Sequence, residues 1–404
     1  MKSMTWHPIW RLPRGASSYF DVDERGSLRG SYRENRSSKL WRVYQDLTVE
    51  PGLYFPLNSR VVCYNERSAM QGSNLEGPSM KAAVRARYGS PAVVRLAEVA
   101  APKPADNEVL IKLCAASVNP LDLFLMKGAP WNRVPGLRTP KHKVLGCDIA
   151  GRVEAVGKNV KQFQPGDEVF GVTGFEGKGF AEYVCAFEEK LGPKPANLSF
   201  EEAAAVPIAA VTALQGLRDK GRIQPGHKVL IEGASGGVGT FAVQIAKALG
   251  AEVTAVCSTR NVDIARSIGA DHVIDYTQVD FIRTGQRYDL ILGANAHHSI
   301  FNYSRALSQN GIYVAAGGSV FRIFQALLLA SLLSRIRQKK MVFFIANINQ
   351  RDLVFLKDLL EAGKVVPVID RRYPLSDAAE ALRYLAQGHA QGKVVLTVPP
   401  CTGT

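Results

Sequence analysis

One short stretch constrains this chain more than any other: an apolar run that ends in a knot of small residues and passes straight into a helix. Lys228-Val229-Leu230-Ile231-Glu232 is apolar and β-branched enough for a buried strand, and Gly233-Ala234-Ser235-Gly236-Gly237-Val238-Gly239 supplies a tight turn. From Thr240 to Leu249 the apolar residues recur at helical spacing, and Gly250 stops the pattern. Strand, glycine turn and helix in that order aim unpaired backbone N–H groups and the positive helix end at a pyrophosphate. Gly236 and Gly237 let the backbone turn and approach the ligand, and Gly239 lets the helix lie close to its strand. Ser235 and Val238 complete the turn as cofactor-binding residues.

The flanks supply the context such a turn needs. A second strand, Glu252 to Cys257, precedes a helix from Asp263 to Ile268, and further strands follow at His272–Tyr276, Tyr288–Leu292 and Gly311–Ala316. Strands alternating with helices predict an α/β fold, a Rossmann doubly wound parallel sheet. Tyr276, and the pair Gly317 and Gly318 after the last of these strands, are expected against the cofactor. At the end of the second strand, where an NAD-selective domain usually places an acid for the ribose 2′-hydroxyl, stand Ser258, Thr259 and Arg260. Hydroxyls and a guanidinium suit a 2′-phosphate, so NADP(H) is expected ahead of NAD(H); the alternative is that Arg260 is a solvated loop residue.

Composition bounds the rest. The 404 residues exceed one comfortable core, so two domains and an additional segment are expected. Apolar content of 46% and charged content of 21% are ordinary globular values and favour a cytoplasmic enzyme. The net charge of +14 is spread along the chain, which reads as a field for phosphorylated ligands and not as a nucleic-acid surface. Cys63, Cys114, Cys147, Cys185, Cys257 and Cys401 are scattered without a CxxC pair, against a disulfide framework or a cysteine-rich zinc lobe. The uncharged run Ile323–Ser334 falls short of the ~20 residues of a spanning helix. It reads as a helix buried against the sheet or a subunit partner, with peripheral membrane contact the less favoured alternative. Met341 to Ala346 reads as a further strand whose edge could pair across a homodimer.

Upstream, from Met80 to about Pro207, short strands punctuated by Gly and Pro turns predict a compact, mostly β domain. After the Rossmann unit, a helix at Asp352–Gly363, a strand at Val365–Ile369, a helix at Ser376–Leu385 and a strand at Lys393–Val398 are expected to complete it. The expected division is therefore an extension over 1–79, a catalytic domain over 80–207, a cofactor domain over 208–347 and a return over 348–404. Residues 1–79 show no sustained period of 2 or 3.6, and read as a disordered leader, a mis-assigned start or an accessory segment.

Several motifs, in order, resemble the medium-chain dehydrogenase/reductase superfamily and its zinc-free quinone oxidoreductase and enone reductase branch. They are Ser117-Val118-Asn119-Pro120-Leu121-Asp122, Gly146-Cys147-Asp148-Ile149-Ala150-Gly151, Gln164-Pro165-Gly166-Asp167, Ala209-Ala210-Val211-Thr212-Ala213, the glycine turn, and Gly392-Lys393-Val394-Val395. The resemblance implies a GroES-like mostly-β catalytic domain, a Rossmann domain and an active-site cleft between them. Zinc-dependent relatives carry a cysteine where this chain has Asn119, and a histidine followed by glutamate where it has Cys147-Asp148, so the resemblance implies no metal site.

By the same resemblance Asn119 lies beside the nicotinamide with Asp122 in a positioning role, while Thr212 and Lys393 contact the cofactor. Taken alone, Asn119 is equally a turn residue before Pro120, and Thr212 a helix cap. Some relatives carry a tyrosine, a candidate proton donor, where this chain has Phe124. The proton is then expected from solvent, and Phe124, Trp131 and Asn295 are the expected substrate-pocket lining. The function implied is NADPH-dependent, metal-free reduction of a quinone or α,β-unsaturated carbonyl. The alternatives are a zinc-independent alcohol or aldehyde oxidoreductase of the same fold and a low-turnover NADPH-binding protein associated with a membrane or partner.

Overall fold

The computed structural model describes the backbone of residues 17–22, 28–33 and 41–45, and the backbone and side chains of 78–128, 140, 143–174, 177–317 and 339–399. Trp131, Gly318 and the run Ile323–Ser334 lie outside the described residues. The chain divides into two units, Met1–Ser73 and Asn74–Thr404. Within the first, β1 (Ser17–Val22), β2 (Leu28–Arg33) and β3 (Trp41–Gln45) pair antiparallel in that order. Sequence reasoning found no period there. The strands are built on tyrosine, phenylalanine, tryptophan and valine, whose preference for extended backbone needs no regular alternation.

The second unit begins with the hairpin of β4 (Ser79–Arg85) and β5 (Val94–Ala100). There follow β6 (Glu108–Val118), α1 (Pro120–Lys127), β7 (Asp148–Val156), β8 (Glu168–Val172), β9 (Tyr183–Phe187) and β10 (Leu191–Pro193). Two helices, α2 (Phe200–Ala204) and α3 (Pro207–Leu214), lead into the parallel sheet. That sheet comprises β11 (Lys228–Glu232), β12 (Glu252–Cys257), β13 (His272–Asp275), β14 (Tyr288–Gly293), β15 (Leu307–Ala315) and β16 (Lys340–Phe343). Its order is β13-β12-β11-β14-β15-β16, every pairing parallel, with α4 (Gly237–Ala248), α5 (Val262–Ser267) and α6 (Ile300–Ala306) between strands. The chain then returns through α7 (Gln350–Glu361), β17 (Ile369–Pro374), α8 (Ala378–Ala386) and β18 (Lys393–Thr397) into the first sheet, whose order is β10-β8-β7-β6-β18-β17 with β9 also on β6. The fold is thus a GroES-like β domain joined to a Rossmann domain.

Among the described residues, one of four buried clusters runs through both halves. Ala115, Ala150 and Phe170 of the β sheet pack in the same buried cluster as α2, α3 and the strands β11 and β12. The alanines of α2 and α3 make this possible, since side chains this small let the helices lie close between two sheets. The strand expected over Val365–Ile369 starts only at Ile369. Pro367 has no N–H for a ladder, and Gln244 of α4 accepts from the Val366 N–H and donates to its carbonyl, so that backbone is satisfied without a strand partner. Cys114 is disulfide-bonded, which the scattered spacing did not suggest, while Cys147, Cys185 and Cys257 are free thiols.

The return is fastened below the cofactor domain by a polar cluster. Asp352 of α7 accepts from Gln215 at 2.7 Å, Arg218 at 2.7 Å and Asn349 at 3.0 Å. Burial acts to raise the Asp352 carboxyl, but those hydrogen bonds outweigh it and hold it below its ordinary range. A group depressed in this way stabilises the fold above the unfolded carboxylate range and loses that contribution as pH falls through it. Asp352→Ala should therefore cost ~1–3 kcal/mol in urea unfolding near neutrality. The deficit relative to wild type should shrink as the same titration is repeated below about pH 4.

Candidate active site

The glycine turn has the shape the sequence predicts. Gly236 is the N-cap of α4, and no side chain caps the helix. The N–H groups of its first turn are therefore available to a ligand. Gly239 has no room for a side chain, because a Cβ there would lie 2.0 Å from the Gly233 carbonyl oxygen. Ser235 points its hydroxyl at Asn261, which donates to it at 2.8 Å, and its carbonyl accepts from the Gly392 N–H at 2.9 Å. Gly392 also bridges Gly236 in parallel strand fashion, so the returning chain is laid directly on the turn.

The loop after β12 is braced by the same return. Asn261, buried, donates to both Ser235 and Ser258, and Gln391 donates to Asn261 Oδ1 at 2.6 Å. Arg260 donates to the His389 carbonyl at 2.9 Å through one of its five N–H groups. The Thr259 hydroxyl is engaged with Asp275 at 2.6 Å and lies 2.9 Å from that of Thr277. Asp275, at the end of β13, therefore brings a carboxylate to a loop that carries no acid of its own. The Thr259 and Thr277 hydroxyls hold its carboxyl below the usual range. Gln391 and Asn261 escaped sequence reasoning, since amides in loops carry no periodic signal.

Tyr276 and Asn295 both line a cavity of about 490 Å³ beyond the turn, together with Glu232, Val256 and His298. Asn295 packs against Gly233. It was expected in the substrate pocket beside Phe124; the structure instead groups it with the ends of β11 and β12, because the turn after β14 folds back over Gly233. Gly317 packs against the Ala294 carbonyl, with its N–H bonded to Gly293. Thr212 is buried in the last turn and a half of α3, a helix that starts at Pro207 with Val206 as N-cap, so it is not a capping residue.

On the other side of the turn lies a buried polar cluster. Asn119 stands at the junction of β6 and α1, with Phe124 half-buried one turn along the helix. Its amide Nδ2 donates to Asp148 Oδ2 at 3.0 Å, and its Oδ1 accepts from Lys393 Nζ at 2.6 Å. Asp148 Oδ2 also accepts from Ser117 at 2.8 Å and Lys393 at 3.3 Å, while Oδ1 accepts the Ile208 N–H at the start of α3, 3.0 Å away. The stem of Lys393 lies over Gly237, within 3.0 Å of where a Cβ would be. Lys393 thus links the pyrophosphate turn to Asn119. The signal for Asp148 was present: an acid directly before the apolar Ile149-Ala150 of a strand must be satisfied by something.

Asp122 accepts the backbone N–H of Asn119 at 2.8 Å and of Gly146 at 3.1 Å. Its complete burial, and then the nearby Asp148, outweigh those bonds and push its carboxyl up to about 7. Cys147 is also buried, and burial pushes its thiol well up. The donor set at the positions where zinc-dependent relatives carry ligands does not suit a metal. Asn119 and Asp148 are already bonded to an ammonium, and Cys147 resists ionisation. For a dinucleotide the residues do fit: an uncapped helix start and a turn that excludes side chains.

This arrangement defines a nicotinamide-dependent oxidoreductase of two domains. Family models agree, matching an alcohol dehydrogenase GroES-like domain over residues 105–196 and a zinc-binding dehydrogenase domain over 268–396. A chloroplastic quinone oxidoreductase of Triphysaria versicolor is 35% identical, over 80% of this chain and 99% of its own. The 2-methylene-furan-3-one reductase of Solanum lycopersicum is 35% identical, over 83% of this chain and 84% of its own. The solved quinone oxidoreductase of Coxiella burnetii superposes with a TM-score of 0.71 at 30% identity, covering 80% of this chain and 100% of that one. The chain belongs to the medium-chain dehydrogenase/reductase superfamily, in its quinone oxidoreductase and enone reductase branch.

Asp122 yields a pH prediction. A carboxyl raised from an unfolded value near 4 to about 7 is protonated in the folded state across that window and ionised in the unfolded chain. Its contribution is full below the unfolded value and is lost as pH rises through the folded one. Urea unfolding from about pH 4.5 to about pH 7.5 should show wild type losing stability relative to Asp122→Asn, whose side chain does not titrate. Parallel curves would contradict the assignment.

Proposed function

We propose that this protein is an NADPH-dependent, metal-free reductase of quinones or α,β-unsaturated carbonyls, working in the cytoplasm as a homodimer. The observation that carries the reading is the Lys393–Asn119–Asp148 cluster, which sets a lysine ammonium among the positions at which relatives bind zinc. Alcohol oxidation without a metal lacks the ion that would stabilise an alkoxide. Reduction of a conjugated double bond needs none, since bound NADPH supplies hydride to a carbon already made electron-poor. The names of the Triphysaria and Solanum relatives favour the same substrates, although the former is a chloroplastic protein.

The chain's own residues bind and orient. The open start of α4 and the N–H groups of Gly237, Val238 and Gly239 receive the pyrophosphate. Ser258 and Arg260 receive the 2′-phosphate; Thr259, spent on Asp275, supports them at one remove. Asn119 and Lys393 face the nicotinamide half, and Phe124 offers an apolar wall without a proton to give, which leaves solvent as the donor. The outer strand β16 offers the sheet edge for a second copy.

Wild-type protein should oxidise NADPH in the presence of at least one of a panel of quinones and enones, and exhaustive chelation should leave the rate unchanged. Turnover restricted to alcohols, or lost on chelation and restored by zinc, would overturn the reading. Arg260→Ala should raise the KM for NADPH by roughly tenfold to a hundredfold, as a charge-assisted bond contributes ~1.5–3 kcal/mol, and leave the KM for NADH nearly untouched. Equal effects on both cofactors would remove Arg260 from the 2′-phosphate site.

A further inference from the structure

The four hydrogen bonds of Asp148 leave little freedom to the residues that make them. Its side chain is fully buried, and its two oxygens meet donors from four separate segments: Ser117 on β6, Asn119 before α1, the Ile208 N–H on α3 and Lys393 on β18. An amide side chain can ordinarily turn over, exchanging its oxygen and nitrogen at little cost. Asn119 cannot. Turned over, its oxygen would face the Asp148 carboxylate and its NH₂ the Lys393 ammonium, two repulsive contacts inside a buried site. In the observed orientation both Nδ2 protons have acceptors, Asp148 at 3.0 Å and the Ser117 carbonyl at 3.4 Å, and Oδ1 keeps one lone pair beyond the bond to Lys393. The carboxylate thus determines what Asn119 presents to a ligand: an acceptor oxygen and no free donor.

We infer that Asp148 is a positioning residue for hydride transfer, fixing the Asn119 amide and the Lys393 ammonium in the one orientation that presents the Asn119 oxygen to the nicotinamide half of the cofactor. The inference rests on the reductase reading above. Asp148 is fully buried and acts through Asn119 and Lys393. Its ties to α3 and β18 place that orientation under the control of both halves of the molecule. Lys393 follows Gly392, which is held on Ser235 of the glycine turn, so the amide is in register with the turn that receives the pyrophosphate.

The test is a double-mutant cycle on the full chain, with NADPH and whichever quinone or enone wild type turns over best. Asp148→Asn should lower kcat by about tenfold or more and change the KM for NADPH little, because the turn and the loop after β12 are untouched. In an Asn119→Ala background the same substitution should cost clearly less in kcat, since one of the two groups it acts through is gone. Equal losses in both backgrounds, or a fall matched by lost folded protein, would overturn the inference. Should Asp148→Asn fail to fold, Asp148→Ser replaces it in the same cycle, with the same two outcomes. If wild type binds NADPH and reduces none of the acceptors, the reductase reading fails by itself. The inference is then read from the nicotinamide fluorescence of bound NADPH, where a spectrum unaltered by Asp148→Asn would overturn it.

Discussion

A buried carboxylate with four donors around it is the constraint on which the rest of this site depends. Removing such a group from water is unfavourable by several kcal/mol unless donors compensate it, and Asp148 takes four, from β6, the start of α1, α3 and β18 together. Each of those segments is consequently held to a common point. The Rossmann domain enters through Ile208 and the catalytic sheet through Ser117, so the junction between the halves is polar at its centre and alanine-rich around it. Asp122, a few residues from Asn119 and without a cation of its own in hydrogen-bond contact, shows what the same burial does to a carboxyl less well supplied.

The cofactor domain was legible in the sequence nearly strand by strand, and the reason is local. A parallel strand buried on both faces is a continuous apolar run, and a glycine turn has to be written in glycine whatever surrounds it. The same locality explains the errors. Val365 to Val368 look like strand, but Pro367 among them has no N–H to offer a partner, and Gln244 reaches across to satisfy the backbone of Val366. Asn295 stands one turn beyond a strand correctly read, yet which cavity it lines depends on how the following loop folds over Gly233.

The site itself was half legible. Asn119, Asp122 and Lys393 each sit in a motif that the family resemblance picks out, and the structure brings Asn119 and Lys393 within 2.6 Å. What the sequence does not contain is the pairing, because residues separated by 274 positions meet only through the sheet register of β18 on β6. The brace of Gln391 on Asn261 is hidden for the same reason, as is Asp275, which approaches Thr259 only because β13 lies beside β12.

That separation also matters while the chain is being made. The far half of β6, Ala115 to Val118, has β7 on one side and β18 on the other, and β18 is synthesised only after the entire parallel sheet. Until then an apolar strand edge stands open next to residues that will form the site, the kind of edge that invites pairing with other chains. A topology so dominated by distant partners folds slowly and exposes its intermediates to aggregation. Until β18 arrives, that edge is the part of the nascent site most open to pairing with a strand that is not its own.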